Sequence, residues 1–242
     1  MRSTLTLTAC LLACLTCGTP HAAPALVLNT AFNAPLVSAA RDGALDQLYA
    51  ALFERLGRHV RIQQIAAERG LMNANSGIDD GEVARVAGLD ALYPNLVRVP
   101  EPVLRYQMMV FSRGTHFTVD GAASLRPYDV GIIIGWKILE RTITGTHTLV
   151  KLEDGRQLFA MLDKGRIDVA VIERRQGLQL IRSMGLRGIE IEQPPLLEGD
   201  WFMYLNKKHA DLVPLVAAEL RKMKQDGSYQ RIFDSVQRRD EP

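Results

Sequence analysis

Apolar residues along this chain change their spacing several times, and each change marks an element. Residues 26–28 form a short apolar run that ends in a loop with Asn29, Asn33 and Pro35, which predicts a first strand. Leu45, Leu48, Tyr49, Leu52, Phe53 and Leu56 then recur at three- and four-residue spacing. That is the stripe of an amphipathic helix, with Gly57 just past its end. A strand over 60–65, a short helix near 68–73 and the turn-rich run 75–81 complete a β-α-β opening. Residues 96–111 are extended and rich in valine, but Pro100 and Pro102 cannot donate ladder hydrogen bonds. The stretch therefore reads as a segment crossing between two units rather than one long central strand.

From Tyr128 the alternation becomes regular. Apolar strands are predicted at 130–134, 149–152, 167–172 and 189–191, with helices opening at Gly135-Trp136-Lys137 and covering 156–162 and 176–184. Unbroken apolar strands separated by helices imply a mainly parallel sheet covered on both faces. After Pro194-Pro195, residues 201–205 are a further extended apolar run. Two helices close the chain, one marked by Leu212, Leu215, Val216, Leu220 and Met223 and one over 229–236, with Gly227 between them.

The first 25 residues are of another kind. Arg2 precedes an apolar run over 5–15, and Ala23-Pro24-Ala25 fits a small-x-small cleavage pattern, so residues 1–25 read as a secretory signal peptide. The run is shorter than the roughly 20 residues of a membrane span. Cys10, Cys14 and Cys17 all lie in this leader, so the mature protein is expected to be periplasmic and free of disulfides and thiolate metal sites. Leu11-Leu12-Ala13-Cys14 leaves a lipid anchor at Cys14 as the alternative. The 242-residue chain is 47% hydrophobic with a formal net charge of +2, which is globular composition without the basic footprint of a nucleic-acid binder.

Four stretches, taken in order, resemble the type 2 periplasmic solute-binding proteins of ATP-binding cassette (ABC) importers, in particular their amino-acid-binding branch. Val99-Pro100-Glu101-Pro102 leading to Met109-Val110-Phe111-Ser112-Arg113-Gly114 is similar to the first interlobe crossover. Residues 125–134 with Gly135-Trp136-Lys137 are similar to the strand and turn opening the second lobe, and 158–173 to a helix, Gly-x-x-Asp turn and strand. Residues 202–207, the helix after them, Asp226-Gly227-Ser228-Tyr229 and Ile232-Phe233 are similar to the return strand and terminal helices. The resemblance implies an α/β protein of two lobes, each a mainly parallel sheet flanked by helices, joined by two crossovers. Lobe 1 would take 26–106 plus 203–242 and lobe 2 would take 107–202. It also implies a small polar solute, an amino acid among the options, held in a hinged cleft by a monomer that serves a membrane permease. No cofactor or metal is expected.

The candidate site residues follow. Gly135 and Trp136 end a strand and open a helix, where free amides and the helix dipole favour an anion. The resembled proteins carry Thr or Ser after that glycine, so Trp136 exchanges a hydroxyl for a large flat face, or simply packs. The resemblance gives Glu173 to a ligand ammonium, the alternative being a helix cap or a pair with Arg174 or Arg175. It gives Arg85 to a ligand carboxylate, which its planar fork suits, with Arg98 as competitor. Glu101 at the crossover and Phe32 after the first strand are further cleft candidates.

Catalytic signatures are thin. His21, His59, His116, His147 and His209 are scattered without a metal-ligand pair, and no nucleophile elbow, phosphate loop or dinucleotide turn occurs. The expectation is a binding protein. A dehydratase-like enzyme on the same scaffold and a ligand-presenting partner of a sensory receptor are the competing readings, since fold alone does not fix function.

Overall fold

The computed structural model describes residues 25–240. All but the last residue of the predicted leader lies outside them, as does Cys14 with its anchoring alternative. The described chain runs β1 (Leu26–Thr30), α1 (Ala44–Arg55), β2 (Val60–Gln64), α2 (Ala67–Ser76), β3 (Gly81–Arg85) and β4 (Leu96–Ser112). It continues β5 (Asp129–Ile133), α3 (Lys137–Thr142), β6 (Thr148–Leu152), α4 (Gly155–Asp163), β7 (Val169–Glu173), α5 (Arg174–Met184) and β8 (Glu190–Asn206), and ends with α6 (Leu212–Gln225) and α7 (Ser228–Asp240). No helix among the described residues is long and apolar enough to cross a membrane.

Strand order is β2-β1-β3-β8-β4-β7-β5-β6. β2, β1 and β3 are mutually parallel at one end, and β7, β5 and β6 are mutually parallel at the other. Between these trios, β4 and β8 run antiparallel to each other and to their outer neighbours. The molecule is thus two α/β halves sharing a pair of long strands. The stripe read from sequence on α1 does face the core, where Leu45, Leu48, Tyr49, Leu52 and Phe53 are all buried. Each such side chain contributes about 1.5–3 kcal/mol through burial.

Three expectations change. Residues 96–112 are one continuous strand of 17 residues despite their prolines. The ladder to β8 slips between Arg98 and Pro102 and again between Pro102 and Leu104, and β7 joins only from Met108 onward. The prolines therefore sit where the strand has one neighbour and an irregular ladder, which is where a missing donor is tolerated. Residues 190–206 are likewise one strand, not two pieces. Between the pairs Met108–Leu197 and Val110–Glu192, residues 193–196 of β8 bulge opposite the single residue Met109, and that bulge absorbs Pro194 and Pro195. Finally, β3 has no counterpart in the sequence reading. A Cβ at Gly81 would strike the Tyr204 carbonyl of β8, so glycine lets the two backbones close up.

Candidate functional site

Loops at the carboxyl ends of β1 and β5 approach each other from opposite halves. Phe32, after β1, packs at a tilt on Trp201 of β8 with ring centroids 4.5 Å apart and meets Trp136, after β5, edge-on at 6.2 Å. Tyr106 of β4 closes the cluster against Trp201 at 5.3 Å. All four rings are buried. Beside them remains a cavity of about 30 Å³, lined also by Arg85, Gly135 and Met108. A buried water needs about 10–15 Å³ on this measure, so the space suits one or two waters and no larger solute.

The halves also touch directly. Gly135 has φ +84°, and a Cβ built on it would lie 2.5 Å from the Glu68 backbone nitrogen at the start of α2. Lys137 crosses to Glu68 at 2.5 Å and also pairs with Glu140 at 3.1 Å. Burial alone would lower the Lys137 pKa, but these two carboxylates overcome it and push it up to about 12. The Tyr93 hydroxyl donates to the other oxygen of Glu68 at 3.0 Å. Glu140 in turn accepts the Gly135 amide at 3.0 Å, so the amide expected to meet a ligand anion is occupied by the helix's own side chain.

The remaining predicted residues are also engaged. Arg85 lines the small cavity, with Nε on Glu82 at 2.7 Å and a terminal nitrogen on the Ala67 carbonyl at 3.0 Å. Glu82 is fully buried and its second oxygen has no hydrogen-bond partner. Burial, opposed by Arg85 and aided by Asp79, pushes its pKa up to about 7. Glu173 closes the first turn of α5, accepting the Arg175 amide at 2.9 Å and the Gln176 amide at 3.2 Å, and it pairs with the Arg175 side chain at 2.9 Å. Burial raises its pKa while Arg175 and the two amides pull it back. Glu101 reaches Lys224 at 2.6 Å and Arg221 at 3.3 Å, so it serves α6 and not the cleft. The structure thus gathers Phe32, Arg85, Gly135 and Trp136 at one place, and sets Glu101 and Glu173 elsewhere.

A second, larger space between the halves escaped the sequence reading. About 250 Å³ in volume, it is lined by Asn33 and Gln64 from the first half and by Glu153, Asp154 and Gln176 from the second. These residues lie at or just past the carboxyl ends of β1, β2, β6 and β7, where ligands of α/β sheets collect. Knowing the strand ends to the residue would have found them. Gln176 is 4% exposed and its side-chain nitrogen has no partner.

Two parallel-sheet halves, two shared crossover strands and a cleft closed by side chains of both halves decide the architecture. This is the fold of the two-lobed periplasmic binding proteins. An ancestral arginine-binding protein bound to glutamine matches with a TM-score of 0.75 at 16% identity, covering 88% of this chain and 96% of that one. An amino-acid ABC transporter substrate-binding protein from Streptococcus pneumoniae, bound to L-arginine, gives 0.72 at 16% identity over 88% and 93%. A histidine kinase sensor domain similar to periplasmic binding proteins gives 0.76 at 18% identity over 89% and 96%. No protein-family model matches the chain. An uncharacterized protein of Shewanella oneidensis is 27% identical over 192 residues, or 76% of this chain and 72% of its own length. Within the periplasmic binding protein fold, the Trp136 turn and the Glu173 cap are positions where this chain satisfies its own groups.

Proposed function

We propose that this chain is a periplasmic solute-binding protein that closes its two lobes around a small polar solute and delivers it to the membrane permease of an ABC importer. The observation that carries this reading is the 250 Å³ interlobe cavity, to which both halves contribute polar side chains at their strand ends. Relatives in fold named for arginine and bound to arginine or glutamine make nitrogen-rich small solutes the first class to try. Lobe closure would favour the solute by its differential affinity for the closed form. Small-angle scattering on the exported protein, with a solute first found by thermal shift, is expected to show compaction at saturation. Unchanged dimensions together with no solute-dependent melt would sink the reading.

A second reading is favoured by the likeness to a histidine kinase sensor domain. In it the same closure presents a bound solute to a membrane receptor. Solute uptake that survives deletion of this protein, with loss of a solute-dependent transcriptional response, would select that reading over transport.

A further inference from the structure

The geometry points to a small organic cation, an amine without a carboxylate, as the occupant of the 250 Å³ interlobe cavity. This rests on the solute-binding reading above and narrows it. Among the described residues lining the cavity, the charged ones are Glu153 and Asp154, and no lysine, arginine or histidine is present. Asp154 already accepts the Gln157 amide at 2.9 Å as the cap of α4. Glu153, between the end of β6 and that cap, makes no ion pair among the described residues and is exposed at the cavity. An ammonium placed there gains a charge-assisted contact. Ile65 and Leu180, both half-buried, supply aliphatic surface for methylene groups.

The second, independent observation is Gln176. Its backbone amide is fixed on Glu173, its side chain lines the cavity, and its buried nitrogen lacks an acceptor. Native interiors rarely leave such a donor alone. A hydroxyl or carbonyl oxygen on the solute completes it. A half-turn of the amide places the oxygen there instead, and a hydroxyl or ammonium proton then meets that. Either orientation suits an amino alcohol, a diamine or an amino amide.

A zwitterionic amino acid fits less well. Its carboxylate would face Glu153 and Asp154 with no cation to receive it, and burying an uncompensated charge is costly. The arginine expected to take a carboxylate, Arg85, is absent from this lining and is paired with Glu82. Gln64 already donates to the Phe32 carbonyl at 2.9 Å and to Asn33 at 3.2 Å. The recognition proposed here therefore differs in place and in charge from a clamp built on Arg85 and Glu173. The volume lies just under the roughly 300–1,000 Å³ of typical small-molecule sites, so the solute has few heavy atoms.

The test is calorimetric titration of the exported protein with ethanolamine, putrescine and L-argininamide, against L-arginine, L-glutamine and L-glutamate. At least one amine is expected to bind, and L-argininamide at least tenfold tighter than L-arginine. Glu153→Gln should weaken the best amine tenfold or more with an unchanged melt, because the residue is exposed. Gln176→Leu should weaken it as well, and Glu198→Gln, an acid outside the cavity, should not. Tighter binding of L-arginine than of its amide, or Glu153→Gln within threefold of the parent, overturns the assignment. If only the amino acids bind, solute capture stands and the cation assignment falls. If no compound of either set binds and the scattering shows no compaction, both fall.

Discussion

The carboxylate of Glu173 already holds two backbone amides and a guanidinium, and that fixes what its removal should do. Glu173→Ala is expected to lower stability by roughly 1–2 kcal/mol, the range for losing a helix cap, and to weaken solute binding less than Gln176→Leu, since it only frees the Gln176 amide. Chemical denaturation and calorimetry on the same variant check both halves of that statement. Glu82 makes a different prediction. Its pKa rises from 4.5 in the unfolded chain to about 7 in the folded protein, because burial outweighs Arg85. The folded state then holds the proton more tightly, so this contribution is complete below pH 4.5 and is lost as pH rises through about 7. Relative to Glu82→Gln, the parent should lose up to roughly 3 kcal/mol across that window. Parallel denaturation series at several pH values would show it, and parallel curves would remove the effect. Sequence spacing placed Glu173 at a strand end and Phe32, Gly135 and Trp136 at the cleft. It did not show that Glu140 would take the Gly135 amide or that Glu101 would turn to α6, because hydrogen-bond partners come from elements packed in three dimensions.

At the scale of elements, apolar patterning was a good guide, as a stripe on a helix and as an unbroken run on a strand. The α1 stripe and the β5, β6 and β7 runs are examples. It failed on β3, where Gly81-Glu82-Val83-Ala84-Arg85 shows no apolar run because a buried Glu82 pairs with a half-buried Arg85. It also divided β8, since a proline pair reads as an end unless the bulge over 193–196 is known. Tyr106 and Trp201 escaped notice for the related reason that their facing depends on register across the β4–β8 slips. The contact between the Gly135 turn and α2 is where one element governs another. Gly135→Ala would put a methyl group 2.5 Å from the Glu68 nitrogen in a left-handed conformation. The variant is expected to favour an open form, with a larger radius of gyration and at least tenfold weaker solute binding. Scattering and titration identical to the parent would show that the turn yields instead.

For the whole molecule, the two halves share β4 and β8, so any opening must bend these strands where their ladder is irregular, near 98–104 and 193–196. The prolines at 100, 102, 194 and 195 all lie in these two shared strands. The degree of contact between the lobes was not legible, because it depends on Lys137 and Glu68, which lie 69 positions apart and belong to different halves. That contact has a consequence for time as well as for affinity. If, as proposed, lobe opening releases the solute, release can be no faster than the parting of the Lys137–Glu68 bridge and the Gly135 turn. Chemically different solutes would then share a similar residence time, and the protein would behave as a clock set by its own hinge.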